Sequence, residues 1–278
     1  MNLLGRALLR EWYHMNKIVV DKEKLKSVDV NDNIDVILTP RKSLFDICLI
    51  TIYIKDNTDL YLYINSNTTK LKININVKDN SLCKLYIVTN GRDAKIGYSY
   101  NIGENSEICV IKYNRVDNIK EMVEINLNGN ESKIDYLFKS ISTRKESYDY
   151  AIFHNYKNTV SNIKNHGVNA SGNMSIQISS SIDKNITNCT CNQFNRIINL
   201  TSNKCEIRPI LYIDNEEVTA NHSALIGDFE EDELFYLESR GISKKDSYNL
   251  LIKGFLISGI DNNDIKKNIE DDLNKYWR

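Results

Sequence analysis

Several things are scarce in this chain of 278 residues. Its six cysteines (48, 83, 109, 189, 191 and 205) are too few for this length to form a disulfide framework. No apolar run approaches the ~20 residues that cross a bilayer. The opening "MNLLGRALLREWYHMNK" lacks an uninterrupted apolar core and a small-residue cleavage site, so no signal peptide is expected and the cytoplasm is the expected location. Charge is balanced, 36 basic against 37 acidic residues, which gives no electrostatic reason to expect nucleic acid or a membrane surface as partner. No Walker-type loop, H-E-x-x-H or G-x-S-x-G occurs, so those three catalytic classes are excluded. Proline occurs twice, at Pro40 and Pro209.

What is present is asparagine, isoleucine, lysine and serine in quantity. The Asn-rich parts are not disordered, because apolar residues recur through them at regular spacing. From about residue 30, segments such as "DVILTP", "LITIYIK", "DLYLYINSN", "KLKININVK", "CKLYIVTN" and "EICVIKYN" alternate with period two, bounded by Asn, Asp, Gly or Ser. The texture continues to "ILYIDNEEV". An all-β body of this size must close as a barrel, sandwich or solenoid, since one open sheet cannot cover both its faces. No strict repeat period is found, which weakens the solenoid on pattern alone. The Asn-Gly dipeptides in "TNGRD" and "LNGNE" predict some antiparallel hairpins.

The last fifty residues change period. Asp228 lies three before Glu231, a capping-box spacing, and the helix it opens ends with Arg240 and a left-handed Gly241. "SKKD" at 243 to 246 starts a second helix with Tyr248, Leu251, Ile252, Phe255 and Leu256 on one face, stopping near Gly259. A third follows Asp261, with Ile265, Ile269, Leu273 and Tyr276 aligned. A short helix, "LLGRALLREWYHM", and a linker are expected before residue 29, with Trp12 and Tyr13 anchoring that segment. The chain divides as 1–28 (N-terminal segment), 29–227 (β core) and 228–278 (helical domain).

Among single residues, His222 shares a strand face with Val218 and Ala220, and alone is most simply a hydrogen-bonded strand-edge histidine. Cys189 and Cys191 form a C-x-C pair. Side chains two apart on a strand are ~6.6 Å apart, too far for one tetrahedral zinc or an unstrained disulfide. Half-buried strand thiols are the simpler expectation there, and for Cys205. The acids 230 to 233 suit a helix N-terminus, where the macrodipole favours negative charge.

One stretch is specific. "EIRPILYIDNEEVTANHSALIGDFEEDELFYLESRGISKKDSYNLLIKGFL" resembles the C-terminal signature of the SufB/SufD family of iron–sulfur cluster assembly proteins. It is carried by Pro209, Val218, His222, Gly227, Leu234 to Leu237, Ser239 to Ile242 and Leu251 to Phe255. "CNQFNRIINLTSNKCEIRP" resembles the preceding strands through Gln193, Asn195 and Arg196, and the match covers about residues 160 to 258. The resemblance implies a mainly β fold, a right-handed parallel β-helix followed by a C-terminal α-helical domain. It implies a SufD-like, short form with no catalytic centre of its own, which docks a SufC-type ABC ATPase through the helices after "SRG". The docking candidates are Phe235, Tyr236, Arg240, Gly241, Tyr248 and Phe255. The β-helix end would pair with a SufB-type subunit or with a second copy, near a nascent, transient iron–sulfur cluster; no tightly held cofactor is implied.

The departures from the family pattern bear on that cluster. Where scaffold-type members carry a cysteine after the glutamine, this chain has Phe194. Ala220 and Ser223 stand where members carry a cysteine and a glutamate around the histidine. Of the family's cluster positions only His222 carries over as a metal ligand, with Cys191 and Cys205 as the remaining candidates; a register shift would bring Cys191 into place. Two alternatives stand beside this reading: a self-pairing scaffold of a minimal two-component system, and, in another class, a β-solenoid carbohydrate-active or adhesion module.

Overall fold

The computed structural model describes residues 16–21, 24–29, 34–40, 47–66 and 69–276. Fifteen strands join in one continuous sheet that wraps on itself as a parallel β-solenoid of about six turns, followed by three helices. The expected helix over 3–15, with Trp12 and Tyr13, lies outside the described residues. Residues 16–29, expected as linker, instead form β1 (Asn16–Asp21) and β2 (Lys24–Asp29), an antiparallel pair; the run "KIVV" gives this stretch the β-branched content of a strand. β3 (Ile34–Pro40) and β4 (Ile47–Ile54) are also antiparallel.

Every later pairing is parallel. The strands are β5 (Thr58–Ser66), β6 (Thr69–Val77), β7 (Leu82–Ile102), β8 (Glu107–Leu127), β9 (Lys133–Ser142), β10 (Lys145–His154), β11 (Val160–Asn169), β12 (Asn173–Ile182), β13 (Cys189–Asn199), β14 (Cys205–Ile213) and β15 (Val218–Gly227). They stack as two faces. One runs β1-β5-β7-β8-β9-β11-β13-β15 and the other β4-β6-β7-β8-β10-β12-β14, with the long β7 and β8 belonging to both.

The expected Asn-Gly hairpins do not form. Gly91, at φ 150°, sits inside β7 where that strand passes from the first face to the second. Gly129 lies in a turn between parallel strands, where an added Cβ would fall 2.2 Å from the Glu104 backbone nitrogen. The antiparallel reading failed because the dipeptide specifies a turn, not the direction of the strand after it.

Asparagine builds the corners. Five successive passages onto the first face, from β6–β7 to β12–β13, each use one left-handed residue: Asn80, Asn105, Glu131, Asn158 and Asn188, with φ between 50° and 61°. Asn tolerates this region better than any residue except Gly, because its short amide can bond locally. Asparagines also stack between coils as side-chain ladders. Asn101 donates to Asn76 at 3.0 Å, Asn192 to Asn162 at 2.8 Å and Asn221 to Asn192 at 3.0 Å.

Those ladders show why no repeat period was visible. Stacked partners lie 25 residues apart at Asn76–Asn101, 27 at Asn128–Asn155, 30 at Asn162–Asn192 and 29 at Asn192–Asn221. The coil grows from 25 residues to 29 or 30 along the chain, so no fixed period survives.

Inside, the period-two alternation stacks like on like. One inner column reads Leu60, Leu85, Val110, Tyr136, Ile163, all fully or almost fully buried. Outside, the first face carries a second apolar surface (Tyr86, Val88, Ile111, Tyr113, Ile141, Val168, Ile198), and the helices α1 (Glu231–Glu238), α2 (Lys244–Ile257) and α3 (Asn263–Tyr276) provide its cover through Ile252, Leu256, Ile265 and Ile269. The capping box of α1 is Glu230 with Glu233, not Asp228 with Glu231. Asp228 is diverted: it accepts the Tyr248 hydroxyl at 2.8 Å. Ser243 caps α2 by accepting from the Asp246 N–H, and Gly241 and Gly259 are left-handed at φ 83° and 77°.

Candidate functional site

The solenoid ends open. Among the described residues β14 bonds only to β12 and β15 only to β13, so both present an unpaired edge. Pro209 within β14 fits this position, because proline cannot donate to a ladder and is confined to edge strands. Tyr212, Leu225 and Ile226 are exposed there, at 61%, 50% and 40%, and Phe194 beside them at 40%.

His222 completes the inner column. The column continues past Ile163 as Gln193 and then His222, on consecutive strands in unbroken register. Gln193 is fully buried, whereas His222 has no coil above it and is exposed. Beneath the histidine the interior turns polar. Gln193 donates its amide to Ser180 Oγ at 2.8 Å and to the Ile210 carbonyl at 3.3 Å, while its Oε1 is buried without a partner. Cys191 bonds Ser180 and Ser161, and the His154 ring joins Ser161 at 2.9 Å to Thr159 at 2.7 Å. Thr159 in turn contacts Cys189 Sγ at 3.1 Å. Burial holds His154 at about 4, so its ring is neutral at physiological pH, and burial raises the Cys191 thiol.

This geometry separates the cluster candidates. Ala220, not His222, lies over Cys191, and no register shift between β13 and β15 changes that. Cys191 is completely buried, as is Cys189 within 1%, rather than half-buried, because both point into the closed interior. With its thiol raised by burial, Cys191 is neither nucleophile nor ligand. Cys205 pairs beside Met174 and bonds the Asn169 side chain, at the opposite end of β13 from Cys191. Among the described residues no group of three or more His, Cys, Asp or Glu is placed to hold a metal ion. Of the three candidates His222, Cys191 and Cys205, His222 alone is exposed at the open end. Phe194, on the outward face, offers no donor atom.

The docking candidates also separate. Phe235 and Tyr236 are exposed at 72% and 55%, and Arg240 lies over the Tyr236 ring at 4.6 Å. Leu250, which the sequence reading missed, is exposed at 49%. Phe255 instead belongs to the chain's own interior contact. Its ring stacks on His166 at 4.7 Å, Lys139 Nζ and the Arg196 guanidinium lie 5.4 and 5.5 Å from it, and its carbonyl accepts Lys139 Nζ at 2.7 Å. Tyr248 is tied to Asp228 and packs edge-on to Phe229. An amphipathic spacing says that a face is buried, not by what.

Two buried charged groupings were invisible to the sequence reading. Lys112 and Glu121 pair at 2.5 Å with both side chains wholly buried, and Lys112 lies 3.8 Å from the Tyr98 ring centre. Nearby, Glu146 accepts the Tyr148 and Ser140 hydroxyls, and burial pushes its carboxyl up to about 8. Their one signal was polar residues at apolar parity, as in "CVIKYN". Lys139 is the other: with no carboxylate partner, burial brings it down to about 7.

The comparisons with known proteins agree with this shape. Residues 41–255 match the family described as "SUF system FeS cluster assembly, SufBD core domain". The iron–sulfur cluster assembly protein SufD of Bacillus subtilis (strain 168) is 34% identical over 113 residues, 40% of this chain and 26% of that protein. SufBD family proteins of Mycobacterium leprae (strain TN) and Synechocystis sp. (strain ATCC 27184 / PCC 6803 / Kazusa) are 37% and 41% identical over 65 and 64 residues, each 23% of this chain. Those segments span 17% and 14% of the two relatives, so the matches reach about a quarter or less of each relative's length.

Proposed function

The chain belongs to the SUF-system iron–sulfur cluster assembly proteins that share the SufBD core domain, and from that premise we propose that it is a SufD-like, non-enzymatic subunit of such an assembly complex, working in the cytoplasm. Its open solenoid end pairs with a SufB-type subunit, and its helices engage a SufC-type ABC ATPase. The observation that supports this most is the end itself: an unpaired two-strand edge, apolar side chains in water, and an inner-column histidine with nothing above it. Unpaired strand edges are templates for a second chain.

An iron–sulfur cluster would be cargo here, not a resident group. This chain contributes the His222 imidazole and the partner subunit contributes the thiolates, since Cys191 is sealed and Cys205 lies at the far corner. The ATPase-facing surface is Phe235, Tyr236 and Arg240 with Leu250; Tyr248 and Phe255 serve the chain's own packing. Nucleotide state alters the complex only through a difference in binding energy between its conformations.

Anaerobic co-purification of the tagged chain with its cognate SufC-type ATPase, with and without a SufB-type subunit, tests the reading. The ATPase is expected to be retained, and Phe235→Ala/Tyr236→Ala to release it with the fold intact. Assembly that never requires a SufB-type subunit would replace hetero-pairing by self-pairing. Retention in neither mixture would refute the ATPase role.

A further inference from the structure

On the second face, away from the helices and the open end, lysines stack where the fold gives no reason for them. Lys70, Lys95 and Lys120 occupy the same outward register position on β6, β7 and β8. Parallel neighbours are ~4.8 Å apart, and like charges directly opposite one another are unfavourable. The row continues as Ser147, Ser175 and Glu206, so positive charge is confined to three consecutive coils. Lys145 joins them from β10, beside Asn118.

These four lysines line a groove of about 660 Å³ that includes the aliphatic Ala94 and Ile119. It adjoins a second cavity of about 380 Å³, lined by Arg92 and Arg144, with which it shares Asp93 and Asn118. The two together hold six basic side chains and two acidic ones, Asp93 and Asp117, in a chain whose net charge is −1. The acids accept from neutral neighbours, Asp93 from the Asn118 amide at 2.9 Å and Asp117 from the Thr143 hydroxyl at 3.5 Å, so the basic side chains outnumber them by four. Among the described residues no carboxylate forms an ion pair with Lys95, Lys120 or Lys145.

We propose that this groove binds a phosphate-rich small molecule carrying a diphosphate group, free or as a nucleoside diphosphate. Its volume lies within the range of small-molecule sites. Flexible lysines on adjacent strands, whose backbones are ~4.8 Å apart, can converge on one compact, multiply charged phosphate, and the arginine forks beyond suit a second. An extended acidic peptide fits less well, because its same-side carboxylates recur at ~6.6 Å. The proposal is independent of the assembly-complex reading, since it involves neither the open end nor the helices.

Isothermal titration of the full chain with pyrophosphate, with ADP and with a poly-glutamate peptide tests it. Pyrophosphate or ADP is expected to saturate one site per chain and to weaken as salt rises. Lys95→Ala/Lys120→Ala should lower the affinity at least tenfold, while Lys157→Ala/Lys184→Ala, altering exposed lysines elsewhere, should leave it unchanged. Equal melting temperatures would show all the variants folded. Absence of saturation, or equal binding by both double variants (adventitious ion binding only), overturns the proposal. So does saturation by poly-glutamate alone, which would make the groove a protein-docking surface.

Discussion

Gln193 and His222 occupy one register position on successive coils, yet the first is sealed from water and the second stands in it. The difference is the missing coil above β15. A side chain that is interior by parity and exterior by position contributes little to the stability of the isolated chain. It is held in orientation by the strand beneath it.

His222→Ala should therefore shift unfolding free energy by no more than about 0.5 kcal/mol, as for a surface change. The same variant should lower iron and sulfide loading of the anaerobically assembled complex several-fold. Unchanged loading would remove His222 from the cargo site.

Cys191 should behave as core. With its thiol buried and raised, it should resist alkylation in the folded chain and react only when the chain unfolds. Mass-mapped labelling with N-ethylmaleimide, native against denatured, reads this directly. Native labelling would mean that the end coils open, and would return Cys191 to the list of possible ligands.

The corner residues predict opposite effects two positions apart. Gly129→Ala would place a Cβ 2.2 Å from the Glu104 nitrogen, so the turn must shift and stability should fall by more than 1 kcal/mol, a magnitude typical of forced backbone strain. Glu131 holds the left-handed position that its four counterparts give to Asn. Glu131→Asn should raise stability by about 1 kcal/mol. Denaturant midpoints at constant slope would check both, and a destabilising Glu131→Asn would sink the account of the corners.

How much of this could be read beforehand follows from the range of each signal. The three C-terminal helices were legible because caps and stripes are local: Ser243, Gly241 and Gly259 each act within a few residues. The strands were legible for the same reason. Coil closure was not, because it depends on which segment lies 25 to 31 residues further on, and that interval drifts. Only the motif around His222 pointed to a solenoid. The contacts of Phe255 are not legible in sequence, because the spacing of α2 is the same whether its stripe meets the chain's own β9, β11 and β13 or another protein. The burial of Cys189 and Cys191 depends on β14 closing over them, which two residues of spacing cannot show.

His154 gives the acid limb of stability a specific origin. Burial depresses it from 6.5 to about 4, so between those values the unfolded chain binds a proton that the folded chain does not. Its contribution is complete above pH 6.5 and is lost as pH falls to about 4, amounting to roughly 3 kcal/mol over that window. His154→Gln, which can still bond the Thr159 and Ser161 hydroxyls, lacks this titration. The stability advantage of the parent chain over the variant should shrink by that amount between pH 6.5 and 4. A constant difference across the window would show that the ring does not lose its proton on folding.

Lys139 ties the helical layer to the solenoid at a point where α2 ends. Its Nζ reaches the Phe255 carbonyl at 2.7 Å and His166 Nδ1 at 2.7 Å. Lys139→Met keeps the length of the side chain but leaves a carbonyl and an imidazole nitrogen unpaired. Each unsatisfied buried group costs about 1–3 kcal/mol. Two further anchors lie on α3, where Asp272 receives Tyr113 at 2.8 Å and Arg115 at 2.7 Å, so the layer should loosen at α2 first. Hydrogen exchange should quicken over 250–257 in Lys139→Met while 265–272 stays protected. Uniform loss of protection would mean that the helices and solenoid unfold as one unit, and no change would mean that apolar packing of Ile252 and Leu256 holds α2 without the lysine.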